Sequence, residues 1–125
     1  MFELCLQKSF RASHALVGGD WGAENQPHSH DYKLEWILEA EGLGDHDYIA
    51  DLLELENILD RALEKFSQQH LNDLPAFANR NPSLELFAQV LWGELFAPLT
   101  ARGLTGGKVV LWENAQAWAA YRAKL

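Results

Sequence analysis

Residues 28–42 read HSHDYKLEWILEAEG, and their alternation decides the fold. Side chains of a β-strand point alternately to its two faces, so the even positions from 28 to 40 share one face. These positions hold His, His, Tyr, Leu, Trp, Leu and Ala, whereas all the residues between them except Ile37 are polar. The stretch therefore predicts a strand of an antiparallel sheet with one buried face and one face in water. The buried face begins with His28 and His30.

An earlier stretch, residues 2–14 (FELCLQKSFRASH), repeats this alternation and ends in a third histidine. Its even positions are mostly apolar and share a face with His14. If the two strands pair, three imidazoles lie at the end of one apolar face. A catalytic zinc site has three protein ligands and an open fourth position, and His14, His28 and His30 suit it. On spacing alone the alternative stays open, namely that these histidines are hydrogen-bonded side chains without a metal.

The composition is that of one compact globular domain spanning residues 1–125, with 48% hydrophobic residues. No run approaches the ~20 apolar residues that span a bilayer. The sequence opens on a strand pattern instead of a signal peptide, so we expect a cytoplasmic protein without a membrane partner. The net charge of -8 argues against binding to nucleic acid, which needs a basic stripe. The single cysteine, Cys5, excludes an internal disulfide and falls on the polar face, which favours a structural thiol.

The first of two predicted helices follows residue 51. Asp51 and Glu54 are spaced as in a capping box, and apolar residues then recur at helical spacing up to Phe66. Segments 16–27 and 67–81 are rich in Gly, Asn, Pro and other turn formers, which predicts loops.

A second helix is predicted with Asn81 at its N-cap and Pro82 at its first helical position. A turn over residues 103–107, a strand over 108–114 and a strand over 117–124 follow. The chain is therefore predicted to be α+β, with two antiparallel helices on one face of a four-stranded antiparallel sheet in the order ββααββ. A cupin-like metal protein is excluded, because the two helices occupy the middle of the chain.

In this order of elements the sequence resembles the 6-pyruvoyltetrahydropterin synthase and 6-carboxytetrahydropterin synthase family over nearly the whole chain. The family's zinc ligands match the three histidines. Its helix-opening Asp, Leu-Asn pair, Pro-Thr-x-Glu motif and pterin-anchoring Glu match in turn Asp51, Leu71-Asn72, Pro82-Ser83-Leu84-Glu85 and Glu113. The resemblance implies a T-fold, a Zn2+ cofactor and substrate-binding roles for Glu85 and Glu113. It also implies homo-oligomers, trimers or hexamers, with active sites between subunits.

The family's catalytic residues are only partly matched. Its cysteine, four residues before the H-x-H, corresponds to Glu24, and its Asp-His pair corresponds to Ser67 and Gln68. Neither of these last two residues can shuttle a proton near neutral pH. A subgroup of the family with glutamate in place of the cysteine cleaves dihydropterin side chains to 6-hydroxymethyl products. The resemblance therefore makes Glu24 a candidate base, and His70 is near enough in sequence to be a candidate acid.

Two functions stay open. The first is a zinc-dependent lyase acting on a dihydropterin, 7,8-dihydroneopterin or its triphosphate, or on a related bicyclic purine-like substrate. The second is a catalytically inactive homologue that binds a pterin or purine. Retention of the three histidines favours the enzyme, and loss of the Asp-His pair favours the binder. In both, Glu113 can accept two N–H groups from the flat edge of the ring, a charge-assisted bidentate contact.

Overall fold

A computed structural model describes residues 1–99 and 103–125 of the protein. Four antiparallel strands form one sheet in the order β1-β2-β3-β4. Two α-helices cover one face of this sheet. The elements are β1 Phe2–His14, β2 His28–Ala40, α1 Leu52–Glu64, α2 Leu84–Phe96, β3 Leu104–Trp112 and β4 Trp118–Lys124. The predicted α+β class and the order ββααββ are confirmed.

The alternation predicted for β1 and β2 produces the buried face. The two strands pair over their whole length, from Phe2 opposite Ala40 to His14 opposite His28. Even-numbered side chains of β2 are at most 2% exposed from residue 32 onwards, and they form the centre of the core with the apolar stripes of both helices. This register brings His14, His28 and His30 together at one end of the covered face.

Both helices begin at side-chain caps, but the second begins later than predicted. Asp51 caps α1 as expected. For α2 the predicted N-cap Asn81 and first helical residue Pro82 are wrong, because the N-cap is Ser83, whose hydroxyl accepts a first-turn N–H. The Asn81 side chain instead accepts the backbone N–H of Val17 at 2.7 Å. The segment before α2 therefore holds the loop that follows β1.

The third strand also differs from the prediction, because most of the predicted turn over residues 103–107 is strand. Glycines are typical of turns, and here they mark a close approach between backbones instead. A Cβ on Gly107 would lie 2.1 Å from the carbonyl oxygen of Ile37 in the neighbouring strand. The earlier start extends the pairing of β3 with β2 to Leu104 opposite Ala40, and the pairing ends with Trp112 opposite Lys33.

Within the residues that the structure describes, no helix is long and apolar enough to cross a bilayer.

Candidate metal and substrate site

Three histidines meet where β1 ends and β2 begins. Their candidate ligand nitrogens all lie within 4.8 Å of one another. Nε2 of His30 lies 3.1 Å from Nε2 of His14. Two nitrogens that bind one zinc ion at a tetrahedral angle are ~3.3 Å apart, so this spacing suits an ion of that size.

Backbone carbonyls orient two of the three rings. Nδ1 of His14 donates to the carbonyl oxygen of Pro82, and Nδ1 of His28 donates to that of Gln26, both at 2.8 Å. A neutral imidazole protonated at Nδ1 carries its lone pair on Nε2. Such hydrogen bonds fix the tautomer and the ring plane of metal-binding histidines. Both Nε2 atoms are therefore available as ligands.

The surroundings of His14 and His30 favour the neutral form of these two imidazoles. Burial lowers the pKa of His14, although the hydrogen bond to Pro82 opposes this effect. Burial also lowers the pKa of His30, against the raising effect of the Glu113 carboxylate. A neutral imidazole is the form that binds a metal ion. The three imidazoles, their spacing and the lowered pKa values of His14 and His30 fit Zn2+.

Glu113 joins the histidines from the end of β3. Its Oε1 atom lies 3.2 Å from Nε2 of His30. A cavity of about 680 Å³ opens beside this pair and is lined by residues 29–31, Lys33 and residues 112–115. This volume is typical of sites for small molecules. A carboxylate, an indole and a candidate metal ligand thus share one cavity.

An aromatic layer lies beneath the histidines. The ring of Tyr32 is 5.6 Å from that of His30, and it stacks on Phe10 at 5.3 Å. Tyr32 is 1% exposed. Burial, and then the charge of Glu113, raise its pKa, so the hydroxyl stays protonated at neutral pH. The layer gives the cluster a rigid base that excludes water on the core side.

Glu24 lies in a short 3-10 turn, Gly22–Asn25, within the loop between β1 and β2. It is exposed. Its negative charge raises the pKa of His30, so it acts on the histidine cluster electrostatically. The side chain of Asn25 fixes the turn by donating to the carbonyl oxygens of Leu16 and Gly19 at 3.0 and 2.9 Å. The loop therefore holds a solvated carboxylate within electrostatic reach of the candidate metal site.

Glu24 does not line the cavity beside His30 and Glu113, and neither do two further residues singled out from the sequence. Nδ1 of His70 is 2.9 Å from Oγ of Ser13, and the two residues form a parallel β-bridge. His70 therefore shares a face with Ser13, not with His14. Glu85 is exposed in the first turn of α2. Neither residue lines the cavity that holds His30 and Glu113.

Sequence reasoning missed the groups that orient the site. The carbonyl oxygens of Gln26 and Pro82 leave no signal in a side-chain pattern, since every residue has a carbonyl. Lys33 and Trp112 line the cavity, and only the strand register that sets them opposite each other would have pointed to them.

A profile of the family described as 6-pyruvoyl tetrahydropterin synthase matches residues 3–124. A comparison with curated protein sequences finds no match.

Solved structures show the same fold. The chain is similar to 6-pyruvoyl tetrahydropterin synthase of Caenorhabditis elegans, with 20% identity and a TM-score of 0.85 over 98% of this chain and 95% of that one. It is also similar to the Plasmodium vivax synthase, with 13% identity and a TM-score of 0.83 over 99% and 98% of the two chains. A variant of that protein with a catalytic glutamate replaced by cysteine gives 12% identity and a TM-score of 0.85, again over 99% and 98%. The predicted T-fold is thereby confirmed.

Proposed function

Because the chain belongs to the 6-pyruvoyl tetrahydropterin synthase family, we propose that it is a zinc-dependent lyase acting on a dihydropterin. The observation that carries the proposal is the 3.2 Å approach of Glu113 to His30 at the cavity between β2 and β3. This approach sets a carboxylate that can hold a ring next to a group that can hold a metal. The proposed substrates are 7,8-dihydroneopterin and its triphosphate, or a related bicyclic purine-like compound.

The chain's own residues divide the work between ring and side chain. Glu113 accepts two N–H groups from the pyrimidine edge of the pterin, which fixes the ring and directs its side chain to the histidines. His14, His28 and His30 would hold Zn2+, which when bound supplies a Lewis acid that polarises the side-chain hydroxyls. Trp112 lines the same cavity, so its indole can contact a bound ring.

Glu24 is the proposed general base. It lies in the loop between two strands that carry the histidines, and its charge acts on His30. The Plasmodium vivax protein supports this role, since a glutamate is a catalytic residue there. In the proposed step the Glu24 carboxylate takes the proton of the hydroxyl on the second side-chain carbon, and the O–H electron pair forms the carbonyl of the departing aldehyde. The C–C bond between the first and second side-chain carbons breaks, its electron pair passes into the conjugated C=N bond of the ring, and reprotonation of the first carbon leaves a 6-hydroxymethyl ring.

His70 and Glu85 are proposed to act on a neighbouring subunit's site in a trimer or hexamer. Both lie away from the cavity of their own chain. The edges of the sheet are β4 and β1, and β1 is partnered on its outer side only from Arg11 onwards, so β4 and the first part of β1 can pair with another copy. Subunit complementation tests this assignment. Mixing inactive Glu24→Gln with inactive His70→Ala should restore part of the activity, because some mixed interfaces combine two intact residues. A mixture as inactive as its components would contradict shared sites.

Product analysis tests the function itself. Zinc-loaded protein is incubated with 7,8-dihydroneopterin and, separately, with its triphosphate, and the products are identified by mass spectrometry. The lyase should release a product whose mass identifies the broken bond, and His28→Ala should abolish it. Glu24→Gln is the matched control, since it should keep the metal and lose the product.

The absence of Asp and His at positions 67 and 68 favours a second candidate, a catalytically inactive binder. In this chain the backbone N–H of Gln68 bonds to the carbonyl oxygen of Arg11 at 2.6 Å, which gives the segment a structural use. Tight pterin binding without product from either substrate, at full zinc occupancy, would exclude a lyase for these two compounds and favour the binder or a lyase for a different bicyclic substrate.

A further inference from the structure

The outer edge of β1 has a short partner near its metal-binding end. The backbone N–H of Gln68 donates to the carbonyl oxygen of Arg11 at 2.6 Å, and the N–H of Ser13 donates to the carbonyl oxygen of Gln69 at 2.9 Å. Alternate residues of a strand direct their backbone groups to the same side. Ala15, two residues after Ser13, therefore needs a partner on this side as well.

The side chain of Asn72 supplies that partner. The N–H of Ala15 donates to Oδ1 of Asn72 at 2.9 Å, and Nδ2 of Asn72 donates to the carbonyl oxygen of Ala15 at 2.9 Å. The side-chain amide thus replaces one peptide group of a neighbouring strand. Ala15 is 7% exposed, so its backbone groups would lack adequate partners without this amide. The preceding residue, Leu71, is fully buried and fixes Asn72 to the core.

Ala15 directly follows His14, the most buried of the candidate metal ligands. His14 is 4% exposed, its ring is held by Pro82, and its backbone lies between β2 and the Asn72 contact. Ligand atoms must stay within about 0.5 Å of the productive geometry. A backbone released at Ala15 would let His14 move by more than this tolerance, while His28 and His30 remain in place on β2.

We propose that Asn72 is a positioning residue that sets the metal affinity of the site through His14. The inference rests on the proposed zinc site. Asn72 contacts neither metal nor substrate, and its effect passes through the backbone of Ala15. Asn72→Ala removes both hydrogen bonds. Asn72→Asp keeps the acceptor for the Ala15 N–H but sets its second carboxylate oxygen, an acceptor, against the Ala15 carbonyl oxygen, so it should weaken Zn2+ binding as well.

Zinc affinity, measured by competition with a chromophoric chelator, is the main readout. Asn72→Ala should weaken Zn2+ binding about 10- to 100-fold, the range found when outer partners of metal ligands are removed. The visible spectrum of the Co2+-loaded protein should change as well, because it reports the ligand geometry. Asp51→Ala is the control, since it removes the cap at the start of α1 and lowers the melting temperature without touching this segment.

The outcomes separate this inference from the zinc site on which it rests. Wild-type affinity and a wild-type Co2+ spectrum in folded Asn72→Ala or Asn72→Asp would overturn the positioning role alone. A wild-type protein that binds no Zn2+, or His14→Ala with unchanged affinity, would overturn the zinc site and the inference with it. In a His14→Ala background, Asn72→Ala should cause no further loss of affinity. If Asn72→Ala lowers the Zn2+ affinity as much in this background as it does in the wild type, Asn72 acts independently of His14 and the proposal is refuted.

Discussion

Replacing Glu113 by glutamine separates recognition of the ring from the chemistry. The carboxylate offers two acceptor oxygens. The amide offers one acceptor oxygen, and its NH2 group, which is a donor, faces a ring N–H that is also a donor. A hydrogen bond to a charged group contributes about 1.5–3 kcal/mol. At about 1.4 kcal/mol per factor of ten, loss of one such bond should raise the Kd of a pterin roughly 10- to 150-fold.

The position of the Glu113 carboxylate is the reason for expecting this roughly 10- to 150-fold increase in Kd. The Glu113 side chain is 25% exposed and lies against His30, so its bonds to a ligand form in a partly desolvated cavity. A more exposed carboxylate would contribute less, because water competes for it. Glu113→Asp keeps the charge but draws the oxygens back by about one C–C bond, ~1.5 Å. Its Kd should fall between those of the wild type and Glu113→Gln.

Isothermal titration calorimetry with neopterin measures the effect without turnover, since the oxidised pterin keeps the same pyrimidine edge. Zinc content is measured on the same samples, so that a loss of metal is not mistaken for a loss of ring recognition. Glu24→Gln is the matched control with the same chemical change, and its Kd should stay within about twofold of the wild type. A Glu113→Gln protein that keeps its zinc and binds neopterin with unchanged Kd would refute the anchoring role.

Three further predictions concern the metal, the sheet and the thiol. His28→Ala should lower the zinc stoichiometry measured by atomic emission to near zero, whereas retention of a full equivalent would contradict the proposed ligand set. Gly107→Ala should destabilise the protein by about 3 kcal/mol or more, because the new Cβ would collide with the neighbouring backbone. Gly93→Ala in α2, where a Cβ meets nothing within 4 Å, should stabilise the protein by about 0.5–1 kcal/mol. Urea denaturation curves of the two variants that shift in the same direction would contradict this prediction. Burial, and then the charge of Glu35, raise the pKa of Cys5. The pH at which the alkylation rate of Cys5 reaches half its maximum should therefore lie above that of a free thiol, and Glu35→Gln should lower it. An unchanged pH profile in Glu35→Gln would count against this electrostatic effect.

The sequence was most informative where one face of a strand had to be buried. A shift of one residue in the register would send every apolar side chain of β2 into water, so the alternation fixed which face carried His28 and His30. The same parity argument placed His14 on that face, and the ladder aligns it with His28. The position of the three histidines on one face therefore follows from the two-residue alternation of a strand and from the burial of its apolar face.

Other features depended on contacts that no local pattern contains. Asn81 and Ser83 are both residues that commonly cap helices. In the structure Ser83 caps α2, and the Asn81 side chain accepts a hydrogen bond from Val17 in a distant loop. Gly107 was assigned to a turn because the nearness of Ile37 appears only when the strands pair. The position of His70 beside Ser13 likewise depends on how a loop runs along β1, which its composition does not specify.

The three imidazoles belong to a single hairpin, but the groups that orient His14 and hold the backbone beside it come from much later in the chain. Pro82 is 68 residues from His14, and Asn72 is 57 residues from Ala15. The ribosome releases the chain from its N-terminus, and contacts between distant residues form late in folding. All three histidines therefore leave the ribosome before the residues that hold His14 in place. Tight metal capture is expected to wait until residues 72–82 have folded back onto the hairpin, so the ion is selected by the finished protein and not by the nascent strands.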